Sequence, residues 1–224
     1  MPRRSPAVTI CVVVACLLGA GFAQRRLEEQ DRPLMRSMHE TANITPELRR
    51  AGLRFADGVA PADRQWIETA LAAARPEAQR LIAEVDGTVL IDTAGTGEPL
   101  GETRPRPDGF TVWFNLVRLN GSRQSDRNTT VLHEFGHVVD IALIDAAMDE
   151  RLDAGIPRTG NCVQQDGTAF GACAATEERI ADTFAKWALG GAVSAVGAGY
   201  AIAVPASLEE WGAPLAALAQ SLRS

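Results

Sequence analysis

Residues 129–143 read TTVLHEFGHVVDIAL and are the most informative part of the chain. Their apolar side chains recur at the spacing of one helix face, which predicts a single helix from Thr129 to about Leu152 with Asn128 as its N-cap. Gly136 is unusual inside a helix and costs about 1 kcal/mol relative to alanine, so a close backbone approach is expected there. The apolar positions expected to face the core are Leu132, Phe135, Val139, Ala142 and Leu143.

The same stretch contains the pattern H-E-x-x-H, formed by His133, Glu134 and His137, and it uses two of the chain's three histidines. Residues four apart on a helix lie on one face, so the two imidazoles can bind one metal ion together. Glu134 lies beside them, where it can activate a metal-bound water. The pattern predicts a zinc-dependent hydrolase; the alternative is a polar patch on a surface helix.

A catalytic zinc ion normally has three protein ligands and one open position. No histidine follows His137, so the third ligand is expected to be a carboxylate. A second helix is predicted from Glu177 to Leu189, capped by Thr176. Glu178 and Asp182 share one face of it, so one can bind the metal while the other reaches a ligand imidazole. The alternative for Glu178 is an exposed acid at a helix start, favoured there by the helix dipole.

With H-E-x-x-H followed on a second helix by E-x-x-x-D, the chain resembles the gluzincin metallopeptidases, the group typified by thermolysin. The local wording HEFGHVVD is similar to catalytic domains related to anthrax lethal factor, and the resemblance covers residues 128–187. It implies that His133, His137 and Glu178 are zinc ligands and that Glu134 is the general base.

The resemblance also implies residues that orient the ligands. Asp182 would hold the N–H of one ligand histidine, and Glu177 could do the same for the other. Asp140, one turn past His137, is a further candidate for this role. The expected cofactor is therefore Zn²⁺, held by three side chains and supported by carboxylates behind them.

The chain departs from the group in its oxyanion donors, because no histidine follows His137 and no tyrosine lies between His137 and Glu178. Tyr200, the only tyrosine, could reach the site as an oxyanion donor; the alternative is an ordinary packing or surface tyrosine. A strand is predicted from Phe110 to Leu119. It could align an extended peptide by main-chain hydrogen bonds, with Asn115 as a contact, or it could be buried sheet.

The predicted fold class is α+β: a zincin-like domain in which the edge of a small sheet overlies the H-E-x-x-H helix and a helical C-terminal half carries Glu178. The remaining predicted elements are a helix over 61–84 kinked or broken at Pro76, a strand over 88–92, loops over 93–109 and 153–175, and a last helix over 207–222.

The N-terminus has the form of a targeting segment, with Arg3 and Arg4 before an uncharged apolar run to Ala23. Residues 1–23 are therefore interpreted as a signal peptide, 24–60 as a linker or arm, and 61–224 as the catalytic domain. Two alternatives are lipidation at Cys16 and an uncleaved membrane anchor. All three predict a secreted or extracytoplasmic domain.

Cys162 and Cys173 are the cysteines that remain after this segment, and they lie in a Gly-rich loop. In an exported protein this arrangement favours a disulfide bond. The competing interpretation is a thiolate metal pair, but the gap between the two cysteines is not a usual zinc-ligand spacing.

The function predicted from these features is an exported zinc metallopeptidase that hydrolyses a peptide or protein substrate through a zinc-bound water activated by Glu134. The alternatives are an inactive zinc-binding or partner-binding domain and a metal-dependent cell-wall amidase. The net charge of −6 predicts no nucleic-acid partner, and any membrane contact would run through the N-terminal segment alone. The oligomeric state stays open.

Overall fold

A small mixed sheet and a group of packed helices make up the computed structural model, which describes residues 52–93, 99–121, 124–165, 168–193 and 200–222. The strands are β1 (Arg54–Phe55), β2 (Val89–Asp92), β3 (Gly101–Arg106), β4 (Gly109–Phe114), β5 (Cys162–Gln165) and β6 (Thr168–Gly171). The helices are α1 (Pro61–Ala72), α2 (Pro76–Val85), α3 (Leu116–Leu119), α4 (Gln124–Leu143), α5 (Ala146–Ala154), α6 (Thr176–Ala188) and α7 (Leu208–Ser221). This combination confirms the α+β class.

The main sheet has the strand order β1-β2-β4-β3, with β1, β2 and β4 parallel and β3 antiparallel to β4. Its inner strands are rich in the branched and aromatic residues that suit a pleated, buried surface. Val89, Ile91, Phe110, Val112 and Phe114 from these two strands are almost fully buried. The sheet therefore supplies one wall of the core.

The sequence predicts a helix over 61–84 that is either kinked or broken at Pro76. The structure shows a break, with two separate helices. Pro61 and Pro76 are each the first residue of a helix, where a missing N–H is tolerated, and the connection between α1 and α2 runs from Ala73 to Arg75. The buried stripe of α1 contains Trp66, Ile67, Ala70 and Leu71.

The helix predicted over 129–152 is two helices, so its predicted bounds were wrong. α4 begins at Gln124 and ends at Leu143. Asp145 then begins α5, since its side chain accepts a hydrogen bond from the Met148 N–H at 2.8 Å. The predicted helix places Asp145 in its interior, whereas in the structure this residue is the N-cap of α5.

The predicted loop over 93–109 contains β3, which is a correction to the secondary structure. Glycine and proline suggested irregular chain, yet Pro105 is compatible with a strand at the edge of a sheet, because its nitrogen faces away from the neighbouring strand. β1, which lies before the predicted boundary at residue 61, pairs with β2. A two-residue strand has no periodicity that could have revealed it.

The C-terminal half is helical, as predicted, with α6 between α4 and α7. α6 is buried along most of its length, and α7 begins at the cap Ser207, whose hydroxyl accepts from the Glu210 N–H. Among the described residues no helix is long and apolar enough to cross a membrane. The predicted signal peptide, Cys16 and most of the arm lie outside the described residues.

Candidate metal centre

His133, Glu134 and His137 lie in the middle of α4, the helix that packs against α6, α1 and β3. Leu132, Phe135 and Val139 of this helix are fully buried, as their spacing predicted. His133 and Glu134 are themselves only 7% and 5% exposed. This burial excludes the alternative that the pattern is a polar patch on a surface helix.

Glu178, in the first turn of α6, completes the cluster. Its Oε2 lies 3.1 Å from His133 Nε2 and 3.5 Å from His137 Nε2, and the two histidine nitrogens are 3.2 Å apart. Three ligand atoms thus lie within metal-binding distance of one another. The predicted meeting of these side chains is confirmed, and the group could bind a metal ion.

The spacing of the three atoms suits a tetrahedral ion. Ligands about 2.0–2.1 Å from a tetrahedral zinc are separated from each other by about 3.3 Å. The observed separations of 3.1, 3.2 and 3.5 Å lie around that value. Both imidazoles also point the same nitrogen, Nε2, at the shared position, which leaves Nδ1 outside the site.

The two ligand helices approach closely because Gly136 has no side chain. A Cβ atom at residue 136 would lie 2.9 Å from Ala181 Cα, which is closer than real Cβ contacts allow, and 3.1 Å from its carbonyl oxygen, which is tighter than most. The close backbone approach expected at this glycine is confirmed. It brings Glu178, three residues before Ala181, beside the histidines of α4.

The charges of the cluster balance one another. Burial by itself lowers the pKa of His137, but the carboxylates around it, chiefly Glu178, together raise the pKa to about 9. Burial likewise favours the neutral form of Glu178, yet the two histidines hold its pKa well below the ordinary value. The site is therefore built to place positive charge next to Glu178, whether a proton or a cation provides it.

Glu134 is held outside the three-atom cluster by strand β3. The Thr103 hydroxyl donates to its Oε2 at 2.8 Å, and a Cβ at Gly101 would lie 2.6 Å from its Oε1. Burial raises the pKa of Glu134, while the nearby histidines and the Thr103 hydrogen bond act in the opposite direction. The result is a fixed, buried carboxylate close to the metal-binding position.

Tyr200 lies directly over the cluster. Its ring stacks on His133 with 5.6 Å between centroids and an interplanar angle of 7°, and Phe170 stacks on it at 5.5 Å. Burial together with the charge of the nearby Glu178 carboxylate raises the phenol pKa above its usual value. Tyr200 thus reaches the site, while its catalytic role stays a prediction.

Asp182 has a different partner from the one expected. One oxygen of its carboxylate, Oδ2, is bound by the Lys186 ammonium, while Oδ1 has no hydrogen-bond partner in the part of the chain that the structure describes. The prediction that Asp182 holds a ligand imidazole is therefore wrong. Lys186, one turn further along α6, competes for the carboxylate because it shares the same helix face.

Glu177 lies near enough to Asp140 for its charge to help raise the pKa of that carboxyl. Asp140 is buried, and burial together with the charge of Asp149 raises its pKa to about 7. Its charge also acts on His137. The orienting roles predicted for both residues stay predictions.

Asn115 does not lie on an open strand edge. This corrects the prediction that it contacts a peptide aligned along the strand over 110–119. Its buried side chain caps α3 by accepting from the Arg118 N–H, and β4 ends before it. β4 itself is paired with β2 on one side and β3 on the other. Of the two alternatives for this strand, buried sheet is the correct one.

Cys162 and Cys173 form the predicted disulfide bond, with 5.1 Å between their Cα atoms. It closes the β5–β6 hairpin, within which Cys162 faces Gly171 and Val163 faces Phe170. Phe170 is the residue that stacks on Tyr200. The disulfide therefore lies behind one wall of the metal centre.

Thr103, Gly101 and Lys186 are site residues that the sequence analysis missed. Thr103 and Gly101 were assigned to a loop, so nothing placed them opposite Glu134. A signal for Lys186 did exist, because it is the only lysine of the chain and lies four residues after Asp182.

The chain matches no protein-family model, no curated protein sequence and no solved structure, so the geometry of the metal centre is the basis on which its function has to be inferred.

Proposed function

We propose that this protein is an exported zinc-dependent peptidase with a zincin-like active site. The observation that carries the proposal is the convergence of His133 Nε2, His137 Nε2 and Glu178 Oε2 at ligand spacing, with buried Glu134 beside them. Three protein ligands leave a fourth tetrahedral position open, which distinguishes hydrolytic zinc sites from structural ones.

The donor set favours zinc over magnesium and calcium. Two imidazole nitrogens with one carboxylate oxygen suit zinc, whereas magnesium and calcium prefer oxygen ligands alone. Zinc bound there would act as a Lewis acid and lower the pKa of a water molecule at the open position. The chain's own residues would then orient the substrate and move the proton.

Glu134 is the residue that we assign to proton transfer. It lies outside the ligand set, and burial raises its pKa, which makes its carboxylate a better base than an exposed glutamate. Glu134 would take a proton from the attacking water and return it to the departing amine. Thr103 would keep its carboxylate aimed during both steps, since the hydroxyl binds Oε2.

An extended peptide is the substrate that best suits the sheet. Asn115 N–H donates to Leu100 O at 2.9 Å, so these two residues form a hydrogen-bonded pair between the strands. Hydrogen-bonded and non-hydrogen-bonded pairs alternate along an antiparallel ladder. The main-chain groups of Gly101, Thr103 and Pro105 therefore face away from β4. Within the described residues that side of β3 has no partner strand. A peptide could pair there as an additional strand and lie beside Glu134.

Tyr200 is the proposed oxyanion donor. Its phenol lies near enough to Glu178 for that carboxylate to raise the phenol pKa, so the hydroxyl is close to the metal-binding position. A short rotation would let the same hydroxyl donate to the oxyanion that develops on the scissile carbonyl. The stacking of its ring on His133 supports this placement, because it limits the directions in which the phenol can point.

Export is supported by the disulfide bond between Cys162 and Cys173, since such bonds persist mainly outside the reducing cytosol. The apolar N-terminal run is the sequence feature that agrees with it. Detection of the mature protein in the extracytoplasmic fraction of the producing cell would test this part of the proposal.

The deciding experiment measures zinc content and peptide hydrolysis together in the purified protein and three variants. Glu178→Ala is expected to lose zinc. Glu134→Gln is expected to retain zinc but to hydrolyse fluorescein-labelled casein at least about 100-fold more slowly, because general acid–base catalysis contributes at least that much. Glu150→Gln, an exposed acid on α5, is the matched control and is expected to behave like the unmodified protein.

Each outcome selects one function. Absence of zinc from the unmodified protein, purified without chelator, would overturn the metal centre. Zinc without hydrolysis of casein or of cell-wall peptides would favour the partner-binding domain. Cleavage of cell-wall peptides alone, again dependent on Glu134, would favour the amidase.

A further inference from the structure

Lys186 and Asp182 form a buried ion pair, and neither residue is one of the three candidate metal ligands. Lys186 is only 4% exposed and Asp182 is fully buried. The ammonium is bound to Asp182 Oδ2 and donates a second hydrogen bond to the main-chain oxygen of Ile202 at 2.7 Å. Burying two charges is costly, so a pair kept at this position suggests a specific role.

The pair lies in one row with the metal centre. Glu178, Asp182 and Lys186 are spaced by four residues on α6, so their side chains follow one another along the same helix face. Glu178 stands at the metal end of the row and Lys186 at the other end, two helical turns away. Asp182 lies between the two ends, and its carboxylate binds the Lys186 ammonium.

The chain segment from Tyr200 to Ile202 runs along this row and is fixed at both ends. At one end Tyr200 O accepts from the Gly171 N–H at 2.6 Å. At the other end Ile202 is buried, and its carbonyl oxygen is the acceptor for Lys186. Ala201 between them has φ 51°, a left-handed conformation that alanine adopts only where its surroundings impose it.

We propose that Asp182 and Lys186 are positioning residues that hold Tyr200 over the metal centre. Asp182 orients the ammonium, the ammonium anchors Ile202 O, and this anchor sets the backbone turn from which the Tyr200 ring reaches His133 and Glu178. The claim that the pair positions the Tyr200 ring holds whether or not the protein is an enzyme. Only its catalytic consequence rests on the proposed function.

The test uses the fact that Tyr200 is the only tyrosine in the chain. Ring-labelled carbon-13 tyrosine therefore gives one set of NMR signals, which the stacked rings of His133 and Phe170 displace from the position of free tyrosine. The variant is Asp182→Leu with Lys186→Met, which replaces both charges by apolar groups and so leaves no unpaired buried ion. Glu209→Gln, which removes an exposed partner of Arg75, is the control.

The double variant is expected to move the Tyr200 signals toward those of free tyrosine, and added zinc should then shift them less than in the unmodified protein. The control should leave the signals in place. Unchanged Tyr200 signals in a folded double variant would overturn the proposal. If that variant does not fold, the test uses Asp182→Asn with Lys186→Met, whose side chains are uncharged and closer in shape to the original pair. The same comparison of Tyr200 signals then applies.

A second readout addresses catalysis. If the unmodified protein hydrolyses labelled casein, the double variant should bind zinc normally and lower kcat by about 100-fold with little change in KM, the expected result for a displaced oxyanion donor. A higher KM with an unchanged kcat would point to substrate binding instead and overturn the positioning role. The NMR comparison made without zinc needs neither metal nor substrate, so failure of the peptidase proposal would leave it fully informative.

Discussion

At the scale of single residues, the least expected contact of the site is between Thr103 and Glu134. The hydroxyl binds the carboxylate at 2.8 Å and also lies 3.1 Å from the main-chain oxygen of Glu134. One residue of the sheet edge thereby fixes both the side chain and the position of the helix that carries it.

Thr103→Val is expected to leave the Glu134 carboxylate without this donor in a buried site. The free energy of unfolding should fall by about 1–3 kcal/mol, because an unsatisfied buried acceptor keeps its desolvation cost. If the protein is a peptidase, kcat should fall while KM changes little. Chemical denaturation of the metal-free protein and steady-state kinetics measure the two effects.

Thr103→Ser is the matched control, because it retains the hydroxyl and loses one methyl group. It should preserve most of both properties. Equal losses in the serine and valine variants would contradict a specific role of the hydrogen bond, because serine retains the hydroxyl that binds Glu134.

At the scale of elements, the contact between α4 and α6 decides whether the ligands meet. Gly136→Ala would place a Cβ 2.9 Å from Ala181 Cα, and a backbone atom cannot move aside as a side chain can. The helices should separate slightly and weaken zinc binding by about tenfold or more, although alanine favours the helix by about 1 kcal/mol. Zinc affinity measured by chelator competition provides the test.

Gly58→Ala is the control for Gly136→Ala, since a Cβ at residue 58 would meet nothing within 4 Å. It should leave zinc affinity unchanged. A Gly136→Ala protein with normal affinity would show that the two helices have room to adjust.

The disulfide-closed hairpin is the second element with a measurable effect. Replacement of Cys162 and Cys173 by serine should lower the free energy of unfolding by about 2–3 kcal/mol, as expected for a loop of this length. The loosened hairpin carries Phe170, so the Tyr200 ring should also lose part of its stacking. Denaturant titration measures the stability, and a reducing agent should affect only the unmodified protein.

At the scale of the whole molecule, the metal centre joins the two halves of the fold. His133 and Glu178 are 45 residues apart in sequence, and an ion bound between them would connect α4 with α6. Because the three ligands converge only in the folded chain, zinc should bind the native state in preference to the unfolded one.

Zinc at one hundred times its dissociation constant should therefore raise the free energy of unfolding by about 2.7 kcal/mol. For a domain of this size that corresponds to a rise in Tm of about 5–11 °C. Thermal unfolding with and without zinc measures the shift, and a chelator should reverse it. His137→Ala should remove the response, and a persistent zinc shift in that variant would argue for a different site.

The local features of the site could be read from the sequence. The four-residue spacing of His133 and His137, the helix that carries Glu178 and the break before Pro76 all depend on neighbours along the chain. The buried face of α4 and the close approach at Gly136 were recognisable for the same reason, since both follow from the geometry of a single helix. The disulfide could be inferred because its cysteines lie close together in sequence.

Other features were decided by the tertiary structure alone. Whether Gly101 and Thr103 belong to a loop or to a sheet edge depends on the strand beside them, and whether Asp182 binds a histidine or Lys186 depends on which group the packing brings nearer. Tyr200 reaches His133 only through the hairpin and the anchored turn at Ala201. Spacing along the chain determines which side chains share a face, but the contact between two faces depends on how every element between them packs.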